Sequence, residues 1–263
     1  MSGGLSALRQ RLERGEVTFG TFLNVGSPIV AEMVGVAGFE WAVLDLEHGS
    51  SSEADLVSQL QALQLRNVVP VVRVESNDRP RFSFALDRGA AGIMVPRIEG
   101  AADASAAVSF MRYPPEGVRG IAALNRACDF GMRAADVIPS FNDRVLGLIM
   151  IETSGAVESI DDIALIPGVD ILFVGPSDLS HALGVPGNIN HPRMREALLK
   201  VTAAAAGAQK IAGIIVPTVE LARRSIEDGF RFIAVGSDSG MLLTAMVGAR
   251  SALVAPQREA SPS

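Results

Sequence analysis

The sequence predicts a single (β/α)8 barrel. Short apolar runs, each typical of a strand buried on both faces, alternate with amphipathic helical segments. The alternation repeats eight times within 263 residues, and one unit of about 30 residues is the length that this fold requires. Several runs end abruptly in a charged residue, which is typical of barrel active sites. A doubly wound open sheet is the alternative, but neither a G-x-G-x-x-G turn nor a P-loop sequence supports it.

The predicted elements follow from this alternation. Each strand is an apolar run that stops at a polar residue, a glycine or a proline. The predicted strands are 17–25, 41–46, 68–74, 92–96, 147–152, 170–175, 211–216 and 232–236. Each helix carries apolar residues three or four positions apart. The predicted helices are 5–13, 29–36, 53–65, 79–88, 101–112, 156–163, 192–206, 219–228 and 240–253.

Two segments lie outside the alternation. Residues 113–140 form its longest interruption, and an insertion of this length is usually functional or packs against a partner. The polar end of the chain, 255–263, is predicted to be a disordered tail beyond one barrel domain at 1–254.

Composition excludes several classes of partner. A formal net charge of −6 and a pI near 5.2 argue against a nucleic acid or an anionic membrane surface. No apolar run approaches the roughly 20 residues that span a bilayer, and the amino-terminal residues lack the apolar core of a signal peptide. The single cysteine, Cys128, excludes an internal disulfide framework and fits a reducing compartment. We therefore expect a cytoplasmic protein with small-molecule partners.

Candidate functional residues are those at the carboxyl ends of the strands, where a barrel of this type has its site. Glu152 and Asp178 follow the fifth and sixth strands, so their carboxylates would converge. Like charges that close together require a cation, and a hard divalent ion with oxygen ligands is the usual one. The alternative is that both acids cap the helices that follow. The other polar residues at these ends are Asp45, Glu47, His48, Arg73, Arg97, Ser177, Ser237 and Asp238.

Three features of this rim are candidates for binding or catalysis. Arg73 ends a run of valines, so its guanidinium needs an anionic partner, either a neighbouring carboxylate or a substrate enolate or carboxylate. His48, in D-L-E-H-G, is either structural or catalytic. The segment 175–178 turns from strand into helix, where free N–H groups can bind a carboxylate.

The lysine content limits the chemistry. Only Lys200, within a predicted helix, and Lys210, before the seventh strand, are present. A Schiff-base aldolase needs a lysine in its pocket, and neither of these lies at a strand's carboxyl end. Any carbon–carbon bond chemistry should therefore be metal-assisted.

Five motifs occur together along the chain. They are D-L-E-H-G at 45–49, V-V-R-V at 71–74, R-Y-P-P-E-G-V-R-G at 112–120, I-E-T at 151–153 and G-P-S-D-L-S at 175–180. With these motifs the chain resembles, over about residues 5–253, the metal-dependent class II pyruvate aldolases. That family includes 4-hydroxy-2-oxoheptanedioate aldolase, 2-dehydro-3-deoxyglucarate aldolase and macrophomate synthase.

The resemblance implies a barrel of the phosphoenolpyruvate/pyruvate-domain type that reversibly cleaves a 4-hydroxy-2-oxo acid to pyruvate and an aldehyde. It implies that Glu152 and Asp178 hold a divalent cation, Mg²⁺, Mn²⁺ or Co²⁺. The carboxylate of the 2-oxo acid would meet the amides of Ser177 and Asp178, and Arg73 would stabilise the pyruvate enolate.

The resemblance also implies roles further from the metal. His48, paired with Asp87, would be the acid/base group, and Asp45 would shape the aldehyde side. Arg126 matches a position that reaches the second substrate, often across a subunit boundary. The family assembles as a homohexamer, a trimer of dimers, that exchanges its last helix, here 240–253. Met150 departs from the family, because many members carry glutamine there.

Two other functions stay open. A citrate-lyase-type acyl-CoA lyase shares the superfamily, but it needs a basic surface for the CoA phosphates and the chain has no obvious lysine cluster. A non-catalytic sensor of 2-oxo acids would use the same barrel. The aldehyde partner is also open, because the segment 125–132 differs in detail from the diacid-specific members.

Overall fold

The computed structural model describes residues 3–254, in which eight strands close into one parallel barrel. The strands pair in chain order, and β8 returns to pair with β1. They are β1 (Thr18–Leu23), β2 (Trp41–Asp45), β3 (Val69–Arg73), β4 (Gly92–Val95), β5 (Leu146–Ile151), β6 (Ile171–Val174), β7 (Ile211–Val216) and β8 (Phe232–Ser237). The predicted fold is therefore confirmed. The tail predicted at 255–263 lies outside the described residues.

Helices surround the barrel and connect its strands. They are α1 (Gly3–Glu13), α2 (Pro28–Val36), α3 (Leu56–Leu65), α4 (Arg79–Asp87), α5 (Ala101–Met111), α6 (Ala134–Val137), α7 (Ser154–Glu158), α8 (Ile160–Ala164), α9 (Pro176–Ala182), α10 (Pro192–Gly207), α11 (Val219–Glu227) and α12 (Asp238–Val254). None of the described helices is long and apolar enough to cross a membrane.

Three details differ from the predicted elements. The helix predicted at 156–163 is two short helices, α7 and α8, which meet at Ser159, where the backbone leaves helical geometry. The helix α9 directly follows β6, ahead of the predicted helix at 192–206. The interruption at 113–140 contains α6 and a 3-10 segment, Arg126–Gly131.

Large aromatic side chains fill the barrel interior. The rings of Trp41 and Phe232 stack with centroids 3.6 Å apart, and Phe173 packs edge-on against both. This stack requires glycine at position 20, because a Cβ there would overlap the Trp41 ring. Such filling makes the interior a packed core, so open space for a ligand is confined to the ends of the barrel.

The helix α1 closes the amino-terminal end of the barrel. Leu5, Leu8 and Leu12 are spaced three and four residues apart, are buried, and pack with the barrel interior. Arg9, on the same helix, donates to Asp170 and to the carbonyl of Val145, next to the first residues of β6 and β5. The ligand cavity is therefore expected at the opposite, carboxyl-terminal end.

The last helix, α12, stands apart from the rest of the molecule. It begins directly after β8 and packs mainly against β1 and β8. Asp238 is its only buried residue, whereas Leu243 and Met246 are 63% and 65% exposed. This is the helix that the resemblance predicts to be exchanged between subunits, and the apolar surface suits that prediction.

Candidate active site

A cavity of about 880 Å³ opens at the carboxyl ends of the strands. Six of the residues predicted at the strand ends line it, and they come from four different strand ends. They are Asp45, His48, Arg73, Ser177, Asp178 and Ser237, whereas Glu152 is not among the described residues that line it. Its position and lining match the expectation that the site of this fold lies on the loops that follow the strands.

Arg73 and Asp45 form the buried ion pair of this cavity. They are register partners on β3 and β2, so their side chains meet directly. The Arg73 Nε and Nη2 atoms donate to the two Asp45 carboxylate oxygens at 2.8 and 2.6 Å. Arg73 Nη1 lies 3.2 Å from the Glu47 carboxylate. Burial lowers the pKa of Arg73, but the hydrogen bonds and charge of Asp45, with Glu47 and Glu152, outweigh it and raise the pKa above its ordinary value.

Asp45 also shapes the loop that carries His48. Its Oδ1 atom accepts hydrogen bonds from the backbone N–H groups of Glu47 and His48, at 3.1 and 3.2 Å. This local turn is a common use of aspartate after a strand. It places the His48 ring at the rim, 55% exposed, with Nε2 3.8 Å from the Glu47 carboxylate.

Glu152 is a buried acid whose charge is not balanced. Burial, followed by the charges of Asp178 and Glu47, raises its pKa to about 7. Against these effects, Glu152 Oε1 accepts a hydrogen bond of 2.7 Å from the backbone N–H of Arg97. Arg97 reaches this position with a φ of 55°, which is uncommon for a residue with a side chain.

Gly175 provides the space that the Glu152 carboxylate occupies. The pairing of β5 with β6 places Ile151 opposite Val174, so the next residues, Glu152 and Gly175, are neighbours. A Cβ at position 175 would lie 2.7 Å from Glu152 Oε2 and 3.1 Å from the terminal methyl of Met150. Any side chain here would therefore displace the carboxylate.

The two acids fit a divalent cation. Burial contributes most to the raised pKa of Glu152, and the negative charge of Asp178 adds to it, so the two carboxylates are close enough to repel each other. Within residues 3–254 no group of three or more His, Cys, Asp or Glu side chains could hold a metal. The donor set is therefore two carboxylates, and oxygen ligands completed by water are the arrangement that Mg²⁺ prefers.

Comparison with known proteins agrees with this geometry. The model of the HpcH/HpaI aldolase/citrate lyase family matches residues 18–245. This chain belongs to that family. A 5-keto-4-deoxy-D-glucarate aldolase from Enterobacter sp. (strain 638) is 40% identical over 230 residues, which cover 88% of this chain and 90% of the relative.

Solved structures of the HpcH/HpaI family share the fold. A family protein from Burkholderia cenocepacia is 38% identical with a TM-score of 0.90, over 95% of this chain and 99% of that one. An HpcH/HpaI aldolase from Desulfitobacterium hafniense is 29% identical with a TM-score of 0.88, over 95% and 97%. The predicted family and the predicted enzyme class, a carbon–carbon lyase, are confirmed by these matches.

Two predicted site residues of this HpcH/HpaI chain lie at the other end of the barrel. Asp87 ends α4, just before β4 begins, and its Oδ1 atom accepts a hydrogen bond of 2.6 Å from Arg119. Arg126 donates to the carbonyl of Arg88 and to Gln64. The predicted pairing of His48 with Asp87 is therefore not formed within one chain, because α4 runs back from the carboxyl end of the barrel to its amino end.

The sequence does not show the roles of several residues of the site. Arg97 is predicted at a strand end, but it contributes its backbone N–H, and Gly175 contributes the absence of a side chain, so neither role has a residue-type signal. Asn24 lines the cavity but lies within the predicted strand 17–25, whereas β1 ends at Leu23. In the sequence, Asn24 is recognisable only as a polar residue near the end of an apolar run.

Proposed function

We propose that this chain reversibly cleaves a 4-hydroxy-2-oxo acid to pyruvate and an aldehyde. The observation that carries the proposal is a buried arginine, Arg73, that lines one cavity with Asp178 and interacts with Glu152, a buried acid whose pKa the charge of Asp178 helps to raise. A guanidinium and a cation site side by side suit a reaction that develops an enolate. The family supports the same reaction class, because the 40% identical relative is a 5-keto-4-deoxy-D-glucarate aldolase.

Glu152 and Asp178 would hold the divalent cation, which we propose to be Mg²⁺, Mn²⁺ or Co²⁺. When bound, the cation supplies Lewis acidity toward the 2-oxo acid. The positions of the two lysines support a metal-assisted rather than a Schiff-base route. Lys200 Nζ donates to the carbonyl of Val157 on the outside of the barrel, and Lys210 lies between α10 and β7, at the amino end.

Arg73 is held ready to stabilise negative charge on the substrate. Asp45 fixes the plane of the guanidinium through two parallel hydrogen bonds, so little reorganisation is needed when charge develops. The bonds to Asp45 use one N–H group each of Nε and Nη2, and Nη1 contacts Glu47. The remaining N–H groups would donate to the enolate oxygen that forms when the C3–C4 bond breaks.

Proton transfer completes the cleavage. A base takes the 4-hydroxyl proton, and the O–H electron pair forms the C=O bond of the aldehyde. The electron pair of the C3–C4 bond passes to the pyruvate enolate, and C3 of the enolate is then protonated. His48, at the rim on a loop fixed by Asp45, is the proposed acid/base residue. Ser177 lies in the first turn of α9, where backbone N–H groups lack helical acceptors and can bind the pyruvate carboxylate.

Assembly would complete the site. We propose a homohexamer, a trimer of dimers, in which Asp87 and Arg126 of a second copy approach the cavity and α12 is exchanged. The exposed apolar side chains of α12 and the position of Asp87 at the opposite end of the barrel both support this arrangement. A reducing cytoplasm suits the single, buried thiol of Cys128.

Coupled pyruvate release tests the proposal. Short diacid, sugar-acid and simple 4-hydroxy-2-oxo acids are supplied to the whole chain, with and without EDTA. We expect chelation to abolish pyruvate release and added Mg²⁺ or Mn²⁺ to restore it, while borohydride with pyruvate traps no adduct. Release that survives chelation, a trapped adduct, or pyruvate binding without turnover of any aldol would contradict the proposal.

A further inference from the structure

Arg119 belongs to the R-Y-P-P-E-G-V-R-G motif, which the proposed function leaves without a role. Its side chain is fully buried, and its Nη2 atom donates to Asp87 Oδ1 at 2.6 Å. Burial raises the pKa of the neighbouring Tyr113 hydroxyl and of the Cys128 thiol, so both stay uncharged at neutral pH. Asp87 is therefore the anion that partners this buried cation.

The backbone of Arg119 is fixed to the end of α5. Its N–H donates to the carbonyl of Arg112 at 2.9 Å, and the N–H of Val118 donates to the carbonyl of Ser109 at 2.9 Å. Gly117 permits this close approach, because a Cβ there would overlap the carbonyl oxygen of Ser109. The point at which the Arg119 side chain leaves the backbone is therefore determined by contacts with α5.

Two aromatic rings hold the other end of the Arg119 side chain. The Cζ atom lies 4.5 Å from the centroid of the Tyr113 ring and 4.2 Å from that of Phe141. Asn142 in turn fixes Tyr113, because its side chain accepts from the Tyr113 N–H at 2.8 Å and donates to the Tyr113 carbonyl at 3.0 Å. A guanidinium packed against two rings on a fixed backbone has little freedom to turn, so the direction of Nη2 is set.

The charge of Arg119 is an inefficient way to stabilise the fold. Its Nε and Nη1 atoms are buried and have no hydrogen-bond partner among residues 3–254. A buried cation with unpaired donors is unfavourable, and the attraction of the aromatic rings offsets only part of that cost. An apolar side chain of similar length would fill the same space without the cost. Packing therefore does not require the charge, whose specific effect is on Asp87.

Asp87 is held from the inside of the molecule and is open on the outside. Its side chain is 25% exposed, whereas that of Arg119 has no exposed surface. Asp87 is also the last residue of α4, where the helix dipole disfavours an acid. The guanidinium opposes that effect and fixes one carboxylate oxygen, so the carboxylate is oriented for contact with a group outside its own chain.

We propose that Arg119 is a positioning residue for the aldol cleavage, and that through its bond to Asp87 it orients the carboxylate that a second copy presents to His48. This inference rests on the proposed function, in which Asp87 of one chain approaches the cavity of another. Arg119 is not among the described residues that line that cavity. Loss of its charge should therefore slow turnover without changing the binding of the substrate or the metal.

Arg119→Met tests the inference, because it removes the charge and keeps an unbranched side chain of similar length. We expect kcat for pyruvate release to fall about ten- to a hundredfold, while KM for the 4-hydroxy-2-oxo acid and the Mn²⁺ affinity stay within about twofold of the wild-type values. The midpoint of urea unfolding should be no lower than that of the wild type. Arg112→Met is the matched control with wild-type kcat, because Arg112 lies in the same motif but pairs with Glu116.

Combination with Asp87→Asn shows whether Arg119 acts through Asp87. The double variant should have the kcat of Asp87→Asn alone, since two changes that act on one group do not add. A further decrease in the double variant, or a wild-type kcat in Arg119→Met, would overturn the inference. So would a urea midpoint of Arg119→Met well below that of the wild type, because Arg119 would then maintain the fold rather than the position of Asp87.

Failure of the inference and failure of the proposed function give different results. A wild-type chain that releases no pyruvate from any tested acid would defeat the proposed function and the inference with it. Equal kcat in Asp87→Asn and the wild type would remove Asp87 from the site and overturn the inference too. Slower release in Asp87→Asn but not in Arg119→Met would defeat the inference alone.

Discussion

Arg73 is the residue on which the proposed chemistry depends most. Its guanidinium is buried and hydrogen-bonded twice to Asp45, and its pKa is raised, so it is cationic at neutral pH. A cation held in this way can stabilise an enolate without first giving up a shell of water.

Replacing Arg73 with alanine should reduce turnover by at least about a hundredfold, since a preorganised charge contributes on that order. The measurement is kcat for pyruvate release, with circular dichroism to confirm the fold. Arg66→Ala is the control, because Arg66 is an exposed arginine paired with Glu32 and distant from the cavity. Turnover of Arg73→Ala equal to that of the wild type would refute the assigned role.

Glu152 makes stability depend on pH in the metal-free protein. Its pKa is about 7 in the folded chain against an ordinary 4.5, so the unfolded chain loses this proton at lower pH. The free energy of unfolding should therefore fall as pH rises from about 4.5 to about 7 and then level off. Between pH 5.5 and pH 8 the expected loss is about 2 kcal/mol.

In urea unfolding of the metal-free protein, Glu152→Gln should not show this decrease in the free energy of unfolding, because the glutamine amide does not titrate. Glu116→Gln provides the control, since Glu116 is an exposed acid on the opposite end of the molecule. The same decrease in both variants and in the wild type would show that Glu152 is ionised in the metal-free protein well below pH 7.

The pairing of β5 with β6 shows how a strand end is built to hold an acid. Glu152 stands next to Gly175, and the carboxylate occupies the volume where a side chain at 175 would begin. Gly175→Ala should weaken metal binding and lower turnover at least tenfold. The added Cβ would lie 2.7 Å from Glu152 Oε2, so the carboxylate must move away from its position in the site. Mn²⁺ affinity and kcat measure the two effects.

Gly207→Ala is the matched control for this substitution. Gly207 ends α10 and has open space around the position of an added Cβ, so alanine there should leave both quantities unchanged. If Gly175→Ala binds metal and turns over like Gly207→Ala, the space at Gly175 is not needed by Glu152.

The elements also show what sequence can predict. The eight strands and Asp45, Arg73, Glu152 and Asp178 follow from one rule, because buried parallel strands are continuous apolar runs and their functional residues come where the runs end. The strand predicted at 17–25 extends two residues beyond the end of β1 at Leu23, so the prediction places Asn24 inside a strand. The sequence cannot show that the N–H of Arg97 donates to Glu152, because a backbone group has no residue-type signal.

In the molecule as a whole, the predicted site residues are divided between the two ends of the barrel. Asp87 and Arg126 cannot reach His48 in their own chain, and sequence reasoning could not show this because it does not order residues along the barrel axis. The exposed apolar residues of α12 support the proposal that the site is shared between chains.

Mixing two inactive variants tests this division. Arg73→Ala and Asp87→Ala are unfolded together, refolded and assayed, and partial recovery of pyruvate release is expected, since some sites receive an intact cavity from one chain and an intact Asp87 from another. Arg73→Ala mixed with Glu152→Gln should recover nothing, because both residues stand at the carboxyl end of the same barrel and every chain in the mixture lacks one of them. Failure of the first mixture to recover activity, when both chains assemble, would contradict a shared site.

The central claim is that Glu152 and Asp178 hold a divalent cation beside Arg73. Calorimetric titration of Mn²⁺ into the metal-free protein tests it most directly. The wild-type chain and Arg73→Ala should each bind one Mn²⁺ per chain, and Glu152→Gln and Asp178→Asn should each lose that binding. Mn²⁺ binding that is undiminished in both acid variants would contradict the claim.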